Sequence, residues 1–150
     1  MQFDIVLRDE VKGLMAIIEI KASRDPWSAE EAAEYRSSLL ASLPVRPRYF
    51  LLLTPEQGYL WMQDDAIAPP APPRLSFPMA PIVTGYFDRS GRERPSRPEF
   101  ESLVFRWLLG LVSRVADGQE TGGRETEDLL AACGFIDDIQ GSLVLPEAAA

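Results

Sequence analysis

A chain of 150 residues with a hydrophobic fraction of 46% can bury a compact core, which argues against disorder and predicts a single domain over 1–150. The net charge of −8 opposes non-specific adsorption to nucleic acid or to anionic membranes, and the absence of histidine excludes a Cys–His nucleophile for the lone cysteine. The chain has no apolar run of membrane-spanning length and no leader-like start, so a cytoplasmic protein without a membrane partner is expected.

The first part of the chain predicts a hairpin followed by a helix. Alternating polarity over 3–8 and a nearly continuous apolar run over 14–22, separated by a polar turn, are typical of two neighbouring strands. Ser28 and Glu31 have the spacing of a capping box, in which each side chain accepts a hydrogen bond from the other residue's amide. A helix over 29–42 is therefore expected.

Two more strands and a connector are predicted in the middle of the chain. Short apolar runs over 49–54 and 59–61, bounded by proline and glycine, indicate buried strands. These complete a core of about 3–61. A proline-dense segment over 66–81 is expected to be extended and without regular helix, as part of a connector covering about 66–98.

The last part of the chain, about 99–140, is predicted to be mainly helical. Apolar residues recur at spacings of three and four over 100–116, which is typical of an amphipathic helix. Phe105 and Leu109 lie outside the main apolar stripe, which predicts self-association into a homo-oligomer. A short helix over 126–133 and a short strand over 142–145 are also expected.

Three charged residues of the hairpin form the candidate site. Glu19 and Lys21 stand two residues apart at the end of an apolar strand, so their side chains leave the same face of the sheet. The hairpin brings Asp4 to that face if its register is suitable. Two carboxylates suit a hard cation such as Mg²⁺ or Mn²⁺. Lys21 is one of only two lysines among 15 basic residues, and a lysine amine, unlike arginine, can orient or activate a water molecule.

The order of these features resembles the PD-(D/E)XK nuclease superfamily. Asp4 is followed by Glu19-Ile20-Lys21 at the end of an apolar strand, then by a helix and the strand over 49–54. The resemblance implies a restriction-endonuclease-like mixed β-sheet flanked by helices, similar to relatives of the amino-terminal domain of type I restriction subunits. It also implies a metal-dependent nuclease acting on nucleic acid, with DNA favoured. Asp4, Glu19 and the Ile20 carbonyl would bind the metal, and Lys21 would position the attacking water.

Two departures from the family pattern bear on this interpretation. Phe3 stands where the family has proline. Only three residues precede Asp4, so the family's leading helix is expected to be missing, or to be replaced by another part of the chain or by a second subunit. Glu34, on the helix after the motif, is near a position where relatives carry a further polar residue. It is a candidate for a supplementary site residue.

Each of these interpretations has a structural alternative. Asp4, Glu19 and Lys21 could be a self-neutralising charged cluster in a non-catalytic nuclease-fold module that serves interaction or assembly. A second set of candidates could contact phosphate, but acidic residues interleave with it, which favours a solvated loop. These candidates are Arg89, Arg92, Arg94 and Arg97.

Overall fold

The computed structural model describes residues 4–22, 26–86, 94–113 and 124–146. Within these residues the chain forms a mixed α/β structure in which helices flank a six-stranded sheet of spatial order β5-β4-β3-β2-β1-β6. The strands are β1 (Ile5–Asp9), β2 (Gly13–Ile20), β3 (Tyr49–Leu53), β4 (Gln57–Met62), β5 (Leu75–Pro78) and β6 (Leu143–Pro146). The helices are α1 (Ala29–Ala41), α2 (Ala80–Tyr86), α3 (Arg97–Ser113), α4 (Arg124–Ala132) and α5 (Phe135–Asp138).

The sheet has two helical faces. β2 and β3 are parallel and α1 lies between them in the chain, as a crossover between parallel strands requires, whereas the other neighbouring strands are antiparallel. α1 packs on the face that carries Ile17 and Phe50. α3 packs on the opposite face, against Ile18 and Ile20. None of the helices in the described ranges is long and apolar enough to cross a membrane.

A β-bulge in the hairpin decides which residues face α1. Leu7 pairs with Ala16 but Arg8 pairs with Leu14, so Met15 is an extra residue in β2. Met15 and Ala16 consequently both pack in the core on the α3 face. Because strand side chains alternate between faces, the extra residue exchanges the faces of all residues that follow it. Glu19 is thereby directed toward α1.

The capping box at the start of α1 is confirmed. The Glu31 amide donates to Ser28 Oγ at 3.1 Å, and the Ser28 amide donates to Glu31 Oε1 at 3.2 Å. Both bonds satisfy amides that have no partner within the helix. They fix the helix start, and with it the positions of the side chains that α1 directs at the sheet.

The prediction that the proline-dense segment lacks regular helix is wrong at its end. α2 begins at Ala80, with Pro81 in the first turn, where a missing amide costs no helical hydrogen bond. The same connector also contributes β5 to the sheet. β5 tolerates proline because it is an edge strand. Its Phe77 ring lies over Gly58, where a β-carbon would be 2.1 Å from the ring, so the two residues are complementary in shape.

The C-terminal helices lie close to where the sequence predicts them. α3 begins at Arg97, and the predicted continuation beyond 113 lies outside the described residues. Its Phe105 is partly buried against the core, whereas the Leu109 residue remains 43% exposed. α4 precedes Gly134, whose φ of 92° is the left-handed conformation that ends helices at glycine. The short helix α5 was not predicted.

Candidate functional site

A cleft of about 740 Å³ opens where β1 begins and β2 ends. Of the predicted site residues, it brings together Asp4, Glu19, Ile20, Lys21 and Arg97. Side chains from α1 and α3 complete its wall, which includes Tyr35, Glu101, Phe105 and Arg106. The cleft therefore joins residues that are distant in sequence, and the hairpin supplies most of its acidic groups.

The two carboxylates of the hairpin lie side by side. Ile5 pairs with Ile18, so Asp4 lies opposite Glu19 on the same face of the sheet. The Asp4 amide donates to Glu19 Oε2 at 2.9 Å, and the Ile20 amide donates to Asp4 Oδ2 at 2.7 Å. With the register seen on the turn side of the bulge, Asp4 would instead lie opposite Ile18, and Glu19 would be directed to the α3 face. The bulge is therefore the feature that assembles the carboxylate pair.

Tyr35 of α1 connects Glu19 with Lys21. The Tyr35 hydroxyl donates to Glu19 Oε1 at 2.6 Å and accepts from Lys21 Nζ at 3.0 Å. Lys21 Nζ also lies 4.3 Å from the centre of the Tyr35 ring, within the range of a cation–π interaction. Lys21 is thus held by Tyr35. In the described part of the chain, no ion pair within 4 Å joins Lys21 to either carboxylate.

The candidates outside the hairpin have different outcomes. Arg97 Nη2 donates to Asp4 Oδ1 at 3.2 Å, so this arginine belongs to the cleft. Arg94 instead pairs with Glu56 at 2.9 Å and does not line the cleft. Glu34 is exposed on α1 and is not brought to the cleft either. Arg89 and Arg92 lie outside the described residues.

Sequence reasoning missed Glu101, Arg106 and Tyr35, and for Tyr35 a signal was present. It follows Ala32 by three residues and precedes Leu39 by four, so it shares the buried stripe of α1. Glu34, the residue selected instead, falls on the exposed side of that helix. The buried face of the predicted helix therefore identifies the site residue of α1, whereas the position of Glu34 in the family pattern does not.

Burial dominates the electrostatics of the Glu19 carboxyl. The residue is 2% exposed, and this burial raises the pKa of its carboxyl above 4.5. The hydrogen bonds from Tyr35 and from the Asp4 amide oppose that rise, and the nearby Asp4 charge adds to it. Burial and the bond to Glu19 also raise the pKa of Tyr35, which keeps its hydroxyl neutral and able to donate.

The donor set of the cleft fits a hard divalent cation, with a small number of protein ligands. Each carboxylate oxygen of Asp4 and Glu19 carries a hydrogen bond, but each has a second lone pair. The Ile20 amide points toward β1, and its carbonyl lies on the same side of the strand. Within the described ranges no group of three or more His, Cys, Asp or Glu side chains could hold a metal. An ion would therefore retain water ligands, as Mg²⁺ prefers.

Comparison of the chain with protein-family models, with curated proteins and with solved structures finds no match. The class that the structure defines is a mixed α/β protein with a six-stranded mixed sheet flanked by helices. The geometry of the cleft is therefore the feature from which a function can be inferred.

Proposed function

We propose that this protein is a divalent-metal-dependent nuclease that hydrolyses phosphodiester bonds of nucleic acid, with DNA as the first substrate to test. One observation carries the proposal: Asp4 and Glu19 lie opposite each other across two strands, with Lys21 on the same face, in a cleft of about 740 Å³. Charged groups are costly to bury, so a fold that places two carboxylates together at an opening has a use for them.

The residues of the cleft have distinct roles in this proposal. Asp4, Glu19 and the Ile20 carbonyl hold Mg²⁺ or Mn²⁺, which would stabilise the charge that develops on the phosphate. Lys21, kept in place by the Tyr35 hydroxyl, orients the attacking water. Arg97 and Arg106 lie on the cleft wall and contribute positive charge toward a phosphate backbone.

The arrangement of elements supports a restriction-endonuclease-like architecture. The hairpin β1–β2 is followed by α1 and by β3, which is parallel to β2, in the order that the resemblance implies. α3 covers the sheet face opposite α1 and begins at the cleft with Arg97. We infer that α3 takes the place of the family's leading helix, both as cover for the sheet and as a source of site residues.

The proposal is tested by cleavage of single- and double-stranded DNA and RNA with Mg²⁺ and with Mn²⁺. We expect metal-dependent cleavage by the wild type and a loss of at least about 100-fold in Asp4→Asn and Glu19→Gln. Glu34→Gln, an exposed carboxyl that does not line the cleft, is the matched control and should retain activity. A wild type that binds neither metal and cleaves none of the four substrates would contradict the proposal.

A second candidate function is a non-catalytic interaction or assembly module. It is favoured by Arg97, which already neutralises Asp4, and by the exposure of Leu109 on α3. In this function the protein would form homo-oligomers through α3. Sedimentation at increasing concentration should then reveal dimers that Leu109→Lys disrupts, and calorimetry should detect no specific uptake of Mn²⁺.

A further inference from the structure

We infer that Arg97 is a built-in competitor for the metal: it shares Asp4 with the cation, and when the cation binds it is released to hold the substrate phosphate. The inference rests on the proposed function and adds a regulatory role to the same site. It starts from a contact between residues that are far apart in the chain. Arg97 Nη2 lies 3.2 Å from Asp4 Oδ1, the oxygen of that carboxylate that no backbone amide of the described residues holds.

The four carboxylate oxygens of the site differ in how firmly they are held. Glu19 Oε2 and Asp4 Oδ2 accept from backbone amides of the hairpin, which cannot move without disturbing the sheet. Glu19 Oε1 accepts from the part-buried Tyr35 hydroxyl. Among the described residues, Asp4 Oδ1 alone of these oxygens accepts from a charged side chain, and that of Arg97 is 49% exposed. This oxygen is therefore the one from which a cation can displace a donor at low cost.

Arg97 has a second anchor that would keep it in the cleft after displacement. Its Nε donates to Glu101 Oε1 at 2.9 Å, one turn further along α3. A guanidinium carries five N–H donors, so a bond to Glu101 leaves other donors for a new partner. Released from Asp4, the Arg97 side chain remains in the cleft that Lys21 and Arg106 also line, where a phosphate would meet several positive charges.

The charges that line the cleft explain why metal binding would favour the transfer of Arg97 from Asp4 to a phosphate. Asp4, Glu19 and Glu101 offset Lys21, Arg97 and Arg106 when no cation is bound. A divalent cation near Asp4 repels the guanidinium and makes the cleft positive, which favours an anionic ligand. Metal uptake and phosphate binding are thereby coupled through one side chain, and the apo protein avoids leaving Asp4 without a positive partner.

Calorimetry with MnCl₂ alone tests the first half of the inference. Replacement of Arg97 by glutamine removes the competitor, so Arg97→Gln should bind Mn²⁺ about 3- to 10-fold more tightly than the wild type. Arg94→Gln is the matched control, since Arg94 lies three residues earlier and pairs with Glu56 away from the cleft. It should bind Mn²⁺ as the wild type does. The expected direction is informative, because general damage to the fold would weaken metal binding.

Binding of thymidine monophosphate to the Mn²⁺-loaded proteins tests the second half. Arg97→Gln should bind this phosphate about tenfold more weakly, while Arg94→Gln should match the wild type. If the wild type binds Mn²⁺ and Arg97→Gln binds it equally or more weakly, or if the nucleotide affinity is unchanged, the inference is overturned and the metal site stands. If no Mn²⁺ binds to the wild type or to Arg97→Gln, the inference and the proposed function both fail.

Discussion

Helix α1 contributes to two buried charged clusters that differ in what surrounds the charge. One is centred on Arg36, which is 1% exposed and donates to the carbonyl oxygens of Met62, Asp65 and Ala66. The other, the Glu19 cluster, is centred on Glu19, which accepts a hydrogen bond from the hydroxyl of Tyr35, the residue next to Arg36. Both satisfy the rule that buried charge needs hydrogen-bonding partners.

The nature of the partners separates structure from candidate function. The Arg36 guanidinium is enclosed by backbone carbonyls of the segment after β4 and lies 5.8 Å from the Trp61 ring, so it fixes that segment to α1. The Glu19 cluster combines backbone amides of the hairpin with side-chain donors from Tyr35 and Arg97, and it borders an open cleft. Backbone partners cannot exchange with a ligand, whereas side-chain partners can. Arg36 is therefore expected to be structural, whereas the Glu19 cluster keeps exchangeable partners that suit the chemistry proposed for it.

The largest expected effect on stability comes from a substitution that removes the Arg36 guanidinium. Arg36→Met should lower the free energy of unfolding by about 3 kcal/mol or more, because it removes three charge-assisted hydrogen bonds between a buried guanidinium and backbone carbonyls. Urea unfolding measures the loss. Arg48→Met is the control, because Arg48 is largely exposed and lies 3.7 Å from Asp138, and it should cost at most about 0.5 kcal/mol. Equal losses in the two variants would contradict the structural role of Arg36.

The next effect concerns the pH dependence of stability. Glu19→Gln should cost about 1–2 kcal/mol at low pH, since its amide group must face one of two hydrogen-bond donors. Burial raises the folded-state pKa of Glu19, so the wild type is favoured below pH 4.5 and loses stability as pH rises through the raised pKa. The deficit of the variant should therefore shrink over that range. Urea unfolding from pH 4.5 upward tests this, because a deficit that stays constant with pH would contradict a raised folded-state pKa for Glu19.

The sequence predicted most of the sheet because its strands carry local signals. The apolar runs of β2 and β3 and the capping box of α1 are local patterns, and all are found. Met15 is different, because nothing in an unbroken apolar run marks which residue is extra. The predicted meeting of Asp4 and Glu19 depended on this register, which tertiary packing determines. β5 likewise formed from a proline-dense segment because Phe77 complements Gly58, a contact between residues far apart in sequence.

Only the part of the candidate site that lies within the hairpin could be derived from strand geometry. Asp4, Glu19 and Lys21 are coupled by strand geometry, which the sequence pattern expresses. Tyr35 and Arg97 join them from α1 and α3, through the packing of each helix on its own face of the sheet. Charge type alone could not distinguish Arg97 from Arg94, since the two differ only in which acid the fold places beside them.

A smaller effect on stability is expected when either of two tyrosine–carboxylate hydrogen bonds of equal length is removed. The Tyr35 hydroxyl donates to Glu19 and the Tyr49 hydroxyl donates to Asp138, both at 2.6 Å. Tyr35→Phe and Tyr49→Phe should each lower the unfolding free energy by about 1 kcal/mol. Only Tyr35→Phe should also reduce metal-dependent cleavage, because it removes the acceptor that holds Lys21. Equal cleavage activity of the two variants would show that Tyr35 has no role in cleavage.

The smallest expected effect on stability belongs to Lys21, and it is the sharpest test of the comparison. Lys21 Nζ contacts the Tyr35 hydroxyl and ring and lies beyond ion-pair distance of both carboxylates. Its replacement leaves Asp4 paired with Arg97 and Glu19 paired with Tyr35. Lys21→Arg and Lys21→Met should therefore change the unfolding free energy by at most about 0.5 kcal/mol.

Activity should respond to the same two substitutions much more strongly. Arginine retains the positive charge but cannot give up a proton, and methionine has neither a charge nor a transferable proton. Both variants should therefore lose about 100-fold or more in metal-dependent cleavage. Lys12→Met, at the exposed hairpin turn, replaces the other lysine and should alter neither property. Thermal unfolding and cleavage assays on the same preparations separate the two roles. A wild type without cleavage, together with a strongly destabilised Lys21→Met, would make Lys21 a structural residue, because the loss would lie in folding and not in chemistry.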